Sequence, residues 1–501
     1  MARLKASQII LAFAVLLLGV AFSCGGEEEI YFPDVHLEEA IREAINKPAG
    51  PINSSELREL DYLDASCRGI VCLNRGIENL TGLEYCTNLE TLNLSNNRID
   101  DLTPLSDLSS LTKLDLSRNS YLDNIAPLTN LRNLTELNLE SSLISDINPL
   151  STLTNLSELN LNYNHITDIK PLAGLSKLTK LFLNGNHYEG GISDITPLSN
   201  LTRLNELELD NCELSNVAPL SNLSNLTSLY LSNNHFDDIT PLSTLGNLRR
   251  LSLSIEESRA SGEARPLANI TPISGLANLN YLDLTYQDIS DLSPLSNLNE
   301  LTELNLKRNN ISDLTPISNL VSLTALSLAR NKIVDIEPLS NLKNLTVLNL
   351  GNHPYSAPNN ISDLTPLTHL TNLTELDLSG MKIDDVAPLS SLLNLTELDL
   401  YWNQITDISP LKDLTGLTRL VLRENQIIDI SPLSYLYKLN SLDLSCNEIT
   451  DISPLVNNEG LGDGDTVILG DLPLSNASAE IYVPQLQDRG VQIFYPLCGF
   501  F

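Results

Sequence analysis

The stretch Leu395–Gly416, LTELDLYWNQITDISPLKDLTG, is twenty-two residues long and recurs with small changes along most of the chain. Leu395, Leu398, Leu400, Ile405, Ile408, Leu411 and Leu414 hold its apolar positions, with Asn403 and Pro410 at fixed places between them. A repeat of roughly 20 to 30 residues marks a solenoid, because such a unit can bury its apolar side only against its neighbours. Glu397-Leu398-Asp399-Leu400 alternates as a short strand, with both leucines inward and the acids outward. Proline is not tolerated inside a helix, and the rest of the unit is short. The return path is therefore predicted as 3-10 turns and loops.

The pattern L-x-x-L-x-L-x-x-N-x-I resembles the leucine-rich repeat, and the ending D-I-x-P-L is similar to the internalin type of bacterial surfaces. The resemblance implies an α/β chain, folded as a curved solenoid with a parallel concave sheet. It also implies a convex side of 3-10 turns and loops and a helical N-terminal cap. Prolines of the Pro410 kind recur sixteen times, from Pro104 to Pro454, and predict sixteen coils. Extra residues enter at Asn119–Asp123, His187–Gly191, Ile255–Leu267 and His353–Asn359, always between the Asn column and the next Ile. All four insertions should emerge on one rim.

Residues 1–23 read as a signal peptide: Arg3 and Lys5 precede the apolar run Ile9–Phe22, which is short for a membrane span. The small residues before Cys24 resemble the lipobox of bacterial lipoproteins. That implies a lipid on Cys24, residues 24–30 as a tether, and an exported chain that meets the membrane only through this anchor. An ordinary signal peptide cut near Ser23 is the other reading. Residues 31–80 form the expected cap, with Leu37, Ala40, Ile41, Ala44 and Ile45 as a helical stripe after the candidate N-cap Asp34. A second helix is expected from Ser54 or Ser55. Repeats are assigned to 81–460 and a C-terminal cap to 461–501, with Thr466–Leu469 as the last strand and Ser478–Arg489 helical. The aromatic tail Phe494–Phe501 receives no role.

Cys86 and Cys212 occupy repeat positions and are expected buried. Cys67 and Cys72 lie in an irregular loop and suit a local disulfide in an oxidising compartment. Cys446 and Cys498 are candidates for a second pair.

Lys and Arg number 30 against 63 Asp and Glu, a formal net charge of −33. Such a field repels nucleic acid and anionic lipid, which leaves a protein as the expected partner. The sequence carries no nucleophile elbow, phosphate loop or Cys/His pair at metal-ligand spacing, so catalysis, cofactor and metal are not expected. The Asn column is read as structural and the Asp column, of which Asp407 is typical, as turn caps. His165, His187, His235 and His353 share a column with Lys332, Gln404 and Gln426, which marks a solvated position.

The outward strand positions hold two acidic stretches: Glu136, Glu140, Glu158, Glu206, Glu208 and Asp210, then Glu375, Asp377, Glu397 and Asp399. Phe182, Tyr230, Tyr281, Tyr286, Tyr401 and the single Trp402 lie among and beside them. Exposed aromatics on a rigid scaffold are typical binding anchors, and the acids favour a basic ligand. The sequence therefore predicts a monomeric cell-envelope protein that binds a protein ligand, as an adhesin or receptor does. A stiff envelope spacer without a ligand is the alternative, and an enzyme or enzyme regulator comes third.

Overall fold

The computed structural model describes residues 29–67, 76–187, 190–256, 266–352 and 359–497. They fall into two compact units, divided between Leu143 and Ile144. In the first, strands Tyr62–Asp64, Thr91–Asn93, Lys113–Asp115 and Glu136–Asn138 pair in chain order, all parallel. The second carries the run of strands from Glu158–Asn160 to Gln492–Phe494, again parallel and in order. Register is kept by the central leucine of each strand: Leu376 faces Leu398, and Leu398 faces Leu420. Each unit is a parallel-sheet solenoid with 3-10 turns between strands.

The apolar spacing has a direct physical origin. After Asn403 the buried residues Ile405, Ile408, Leu411, Leu414 and Leu417 come three apart. Leu411, Leu414 and Leu417 each donate their N–H to the carbonyl of the buried residue three before, at 3.0 Å. A 3-10 path has three residues per turn, so every third side chain falls on the same face. The strand that follows, Arg419–Val421, changes the period to two at Leu420 and Leu422, as Leu398 and Leu400 do one coil earlier. Pro410 opens the turn Ser409–Asp413, where its missing N–H costs nothing.

Two polar columns hold the coil. The Asn403 amide donates to the carbonyls of Leu378 and Leu400 at 2.9 and 3.1 Å. Its oxygen accepts from the backbone of Met381 and Ile383 at 3.1 and 2.9 Å. One buried carboxamide thus satisfies backbone groups of two coils, and leaving such groups unpaired costs about 1–3 kcal/mol each. Asp407 accepts the Ser409 N–H at 2.8 Å and its hydroxyl at 2.9 Å, and these bonds hold its carboxyl below the usual range. Cys212 stands in the Asn column, buried, with its Sγ 3.2 Å from the Leu183 carbonyl. Burial pushes the Cys86 thiol up to about 12.

The N-terminal helix runs Val35–Ala44, and Asp34 caps it by accepting from His36 and Leu37 at 3.0 and 3.3 Å. The other Asp34 oxygen accepts from Glu78 and Asn79, which ties the helix to the start of the repeats. Only Leu37 and Ile41 of the expected stripe are fully buried, and Ala44 is exposed. The second helix, Ser54–Leu57, opens with a capping box between Asn53 and Glu56. The cap is not wholly helical, since Tyr62–Asp64 adds a strand beside Thr91–Asn93. At the other end, Ser478–Tyr482 is a π-turn leading into helix Val483–Asp488. The tail then supplies a final strand, Gln492–Phe494, against Thr466–Ile468.

Cys67 and Cys446 are each disulfide-bonded. Cys72 and Cys498, and Cys24 with the rest of the signal and lipobox segment, lie outside the described residues. Among those described, no helix is long and apolar enough to cross a membrane.

Candidate binding face

Once the leucines and the Asn column are committed to the interior and the Asp caps to the exposed turns, each strand has its first and third residues left to face outward. Their register decides what they can do. At the first position Glu375 faces Glu397, and Glu397 faces Arg419; at the third, Asp377 faces Asp399. Parallel neighbours lie about 4.8 Å apart, so the four carboxylates form a tight square. They wall a concavity of about 140 Å³ over the strand centres at Leu348, Leu376 and Leu398, whose side chains turn away into the core. Arg419 is the cation at its margin, 3.9 Å from Glu397.

Asp399 is the half-buried corner of that square. Burial pushes its carboxyl up to about 6, with Asp377 and Asp443 adding repulsion. The Tyr401 N–H, donated at 2.9 Å, and Arg419 pull the other way. Asp377 is seated because Gly351 has no side chain: a Cβ there would collide with its carboxylate and with the Ser379 hydroxyl. The first acidic stretch is less uniform than its sequence suggests. Lys113 pairs with Glu136 at 2.8 Å in the first unit, and Lys180 with Glu158 at 3.0 Å in the second. Farther along, burial raises Asp210 to about 6 beside Glu208 and Asp283, against the bonds it accepts from Ser232.

The aromatic residues do not form one patch. Phe182 and Tyr230 take third strand positions on either side of Glu208. Tyr281 takes a first position. The Arg250 Nε donates to the Tyr230 hydroxyl at 3.0 Å, and its guanidinium lies 4.3 Å from the Tyr281 ring centre. Tyr230 and Tyr281 are thus held by a cation that composition alone did not reveal. Tyr286 and Trp402 lie beyond the strands, in the tight turn before the Asn column, with left-handed φ of 60° and 56°. Tyr401 is half-buried, with the Arg423 guanidinium 5.8 Å from its ring centre. Trp402 rests against Gly380, where a Cβ would come 3.1 Å from the indole, and stays 37% exposed. The acidic square and the Tyr401–Trp402 turn leave the same strand, Glu397–Asp399.

The histidines share no common role. The His235 Nε2 lies 2.6 Å from Glu213, while the His187 Nδ1 lies 3.1 Å from the Gly185 carbonyl. His353 is outside the described residues. Among the described residues, no three His, Cys, Asp or Glu side chains are grouped to hold a metal.

The family model for leucine-rich repeats in two copies matches residues 87–130, 154–200, 321–369, 371–413, 393–435 and 415–457, and a single-repeat model matches 225–248. Together they take in half of the chain. The chain is a leucine-rich-repeat protein. Its solved neighbours include an internalin (inlF) of Listeria monocytogenes, 32% identical, covering 83% of this chain and 96% of that one, with a TM-score of 0.49. A leucine-rich-repeat protein of Leptospira interrogans is 26% identical, covering 79% of this chain and 97% of that one, with a TM-score of 0.65. The functional domain of InlJ from Listeria monocytogenes, which includes a cysteine ladder, is 22% identical. It covers 89% of this leucine-rich-repeat chain and 83% of its own, with a TM-score of 0.58. A search of curated proteins finds no match. The repeats are internalin-like, and the fold is that of a scaffold for protein–protein interaction.

Proposed function

We propose that this leucine-rich-repeat protein is an exported, non-enzymatic binding protein, lipid-anchored through Cys24, that holds a protein ligand against the strand face around Glu397–Asp399. The observation that carries this reading is the square of Glu375, Asp377, Glu397 and Asp399, with the exposed Trp402 at the end of one of its strands. Four carboxylates on neighbouring strands suit a basic side chain, and the indole beside them supplies an apolar anchor. Electrostatic complementarity of this kind speeds association, while a buried aromatic dominates the energy.

Trp402→Ala is expected to weaken capture of the ligand from envelope or host extracts about thirtyfold, the factor that about 2 kcal/mol implies. Capture by the soluble fragment Glu27–Phe501 and by its variant reads this out, with melting of both as the control. A variant that melts early would mean that the indole serves packing, and would favour the spacer reading. Anchoring has its own test. Cys24→Ser should move the protein from the detergent phase to the aqueous phase of cell fractions; unchanged partitioning would refute the lipid.

A further inference from the structure

A strand inside the second unit bonds on both edges, and Glu397–Asp399 shows how. Toward the preceding coil, the Glu397 N–H donates to the Thr374 carbonyl at 3.0 Å and the Asp399 carbonyl accepts from Leu378 at 2.9 Å. Toward the next coil, the Thr396 carbonyl accepts from Thr418 and Arg419 at 2.8 and 3.0 Å, and the Leu400 N–H donates to the Val421 carbonyl at 2.9 Å. Alternate residues of a strand bond to opposite neighbours, so the N–H and carbonyl of Leu398 also face the next coil.

Gln492–Phe494 repeats only the first half of that pattern. The Gln492 N–H donates to the Asp465 carbonyl at 2.7 Å, and the Phe494 carbonyl accepts from Leu469 at 2.8 Å. The groups that would face a next coil are the Val491 carbonyl, both backbone groups of Ile493 and the Tyr495 N–H. Among the described residues they meet no partner. The side chains agree. Ile493 and Tyr495 hold the places of Leu398 and Leu400, which are fully buried, yet Ile493 is only partly buried and Tyr495 is 55% exposed. Phe494 and Leu497 are exposed beside them. Open strand edges are commonly guarded by charge. Asp61 and Asp64 give that guard to the first strand, Tyr62–Asp64, whereas Gly490–Phe501 carries no charged side chain. Pro496 does not close the edge either. It holds the place of Tyr401, whose N–H bonds to Asp399 of its own strand and not to a neighbour.

We propose that this edge pairs with the same edge of a second copy of the chain, antiparallel about a two-fold axis at Ile493. The open groups are self-complementary in that arrangement. The two Ile493 residues exchange both their bonds, as a hydrogen-bonded pair of an antiparallel ladder does, and each Tyr495 N–H meets the Val491 carbonyl of the other copy. Four bonds form and no edge group of this set is left over. Another extended strand could satisfy the backbone, but a second copy also brings the same uncovered, uncharged residues, so both apolar ends are buried at once. A contact of this kind uses one patch twice and closes at two copies. The dimer replaces the monomer expected from sequence. It stands whether or not the acidic square binds a basic protein.

The test is sedimentation equilibrium of the soluble fragment Glu27–Phe501, which holds every described residue. A reversible rise from one copy to two is expected between about 1 and 100 µM, the range of small interfaces. Both copies are strongly acidic, so association should strengthen as salt rises from about 0.01 to 0.15 M. Ile493→Pro removes a donor that points away from Thr466–Ile468, a place where an edge strand tolerates proline. It should weaken the dimer about tenfold, as the loss of two hydrogen bonds implies. Tyr495→Glu, which sets like charges at the joint, should do the same. Ile493→Cys should cross-link two copies under oxidation, because residue 493 alone faces itself. Phe494→Cys, offset by two residues from its own copy, should not. Melting of each variant is the control, and if Ile493→Pro or Tyr495→Glu melts early, the two cysteine variants decide. Trp402→Ala should dimerise like the native chain. A single copy at every concentration, growth beyond two copies, or equal cross-linking through residues 493 and 494 would overturn the proposal.

Discussion

Leu398→Ala is expected to lower the stability of its part of the solenoid by about 2–5 kcal/mol. Leu398 is fully buried between Leu376 and Leu420 of the neighbouring strands. A solenoid coil touches only its neighbours, so the cavity opens between rungs whose spacing is fixed by backbone hydrogen bonds and cannot close by sliding. The loss should therefore be local. Hydrogen exchange should quicken most in the strands Glu375–Asp377, Glu397–Asp399 and Arg419–Val421, and least far along the chain. Thr396 is a poor control, because its hydroxyl donates to the Thr374 carbonyl at 3.0 Å, and that of Thr418 to the Thr396 carbonyl at 3.1 Å. Lys412→Ala, on an exposed turn, is the sounder comparison. An effect no larger than that control would show that the leucines do not carry the coil.

The repeat core was legible because its signal is periodic. Spacing of three along the turns, two along the strand, and a fixed Asn and Pro each follow from backbone geometry, and each recurs many times. The ends were harder. Tyr62–Asp64 and Gln492–Phe494 become strands by pairing with a neighbour, and each lies outside the regular repeat whose spacing would have announced it. The acidic square was legible from one coil to the next, since Glu397 and Asp399 repeat Glu375 and Asp377 twenty-two residues on. The cations among the aromatics were not. Arg250, Arg308 and Arg423 meet Tyr281, Tyr286 and Tyr401 across neighbouring coils, and only reading the chain by columns brings them together.

The acidic square should also set a pH dependence, and Asp399→Asn isolates it. An unfolded Asp titrates near about 3.9, whereas burial and Asp377 bring folded Asp399 up to about 6. Between those values the folded chain holds the proton that the unfolded chain has lost. The contribution of Asp399 to stability is therefore greatest below pH 4, falls as pH rises through 6, and stays lower above it; the sign is opposite to that of the Asp407 turn cap, whose carboxyl is held low. Two pKa units set a ceiling of about 3 kcal/mol on the cost at neutral pH. The amide of Asn can still accept the Tyr401 N–H while removing the repulsion from Asp377. Asp399→Asn should thus stabilise the protein by about 1–3 kcal/mol at pH 7.5 and leave it nearly unchanged at pH 3.5. Urea unfolding of both proteins at the two pH values measures this, and an equal difference at both would mean that Asp399 carries no buried charge. Asp210, raised in the same way, should leave a residual slope in the variant. The same proton bears on binding. A basic ligand favours the ionised square, so its capture should weaken as pH falls through 6, and Asp399→Asn should flatten that fall while weakening capture at pH 7.5.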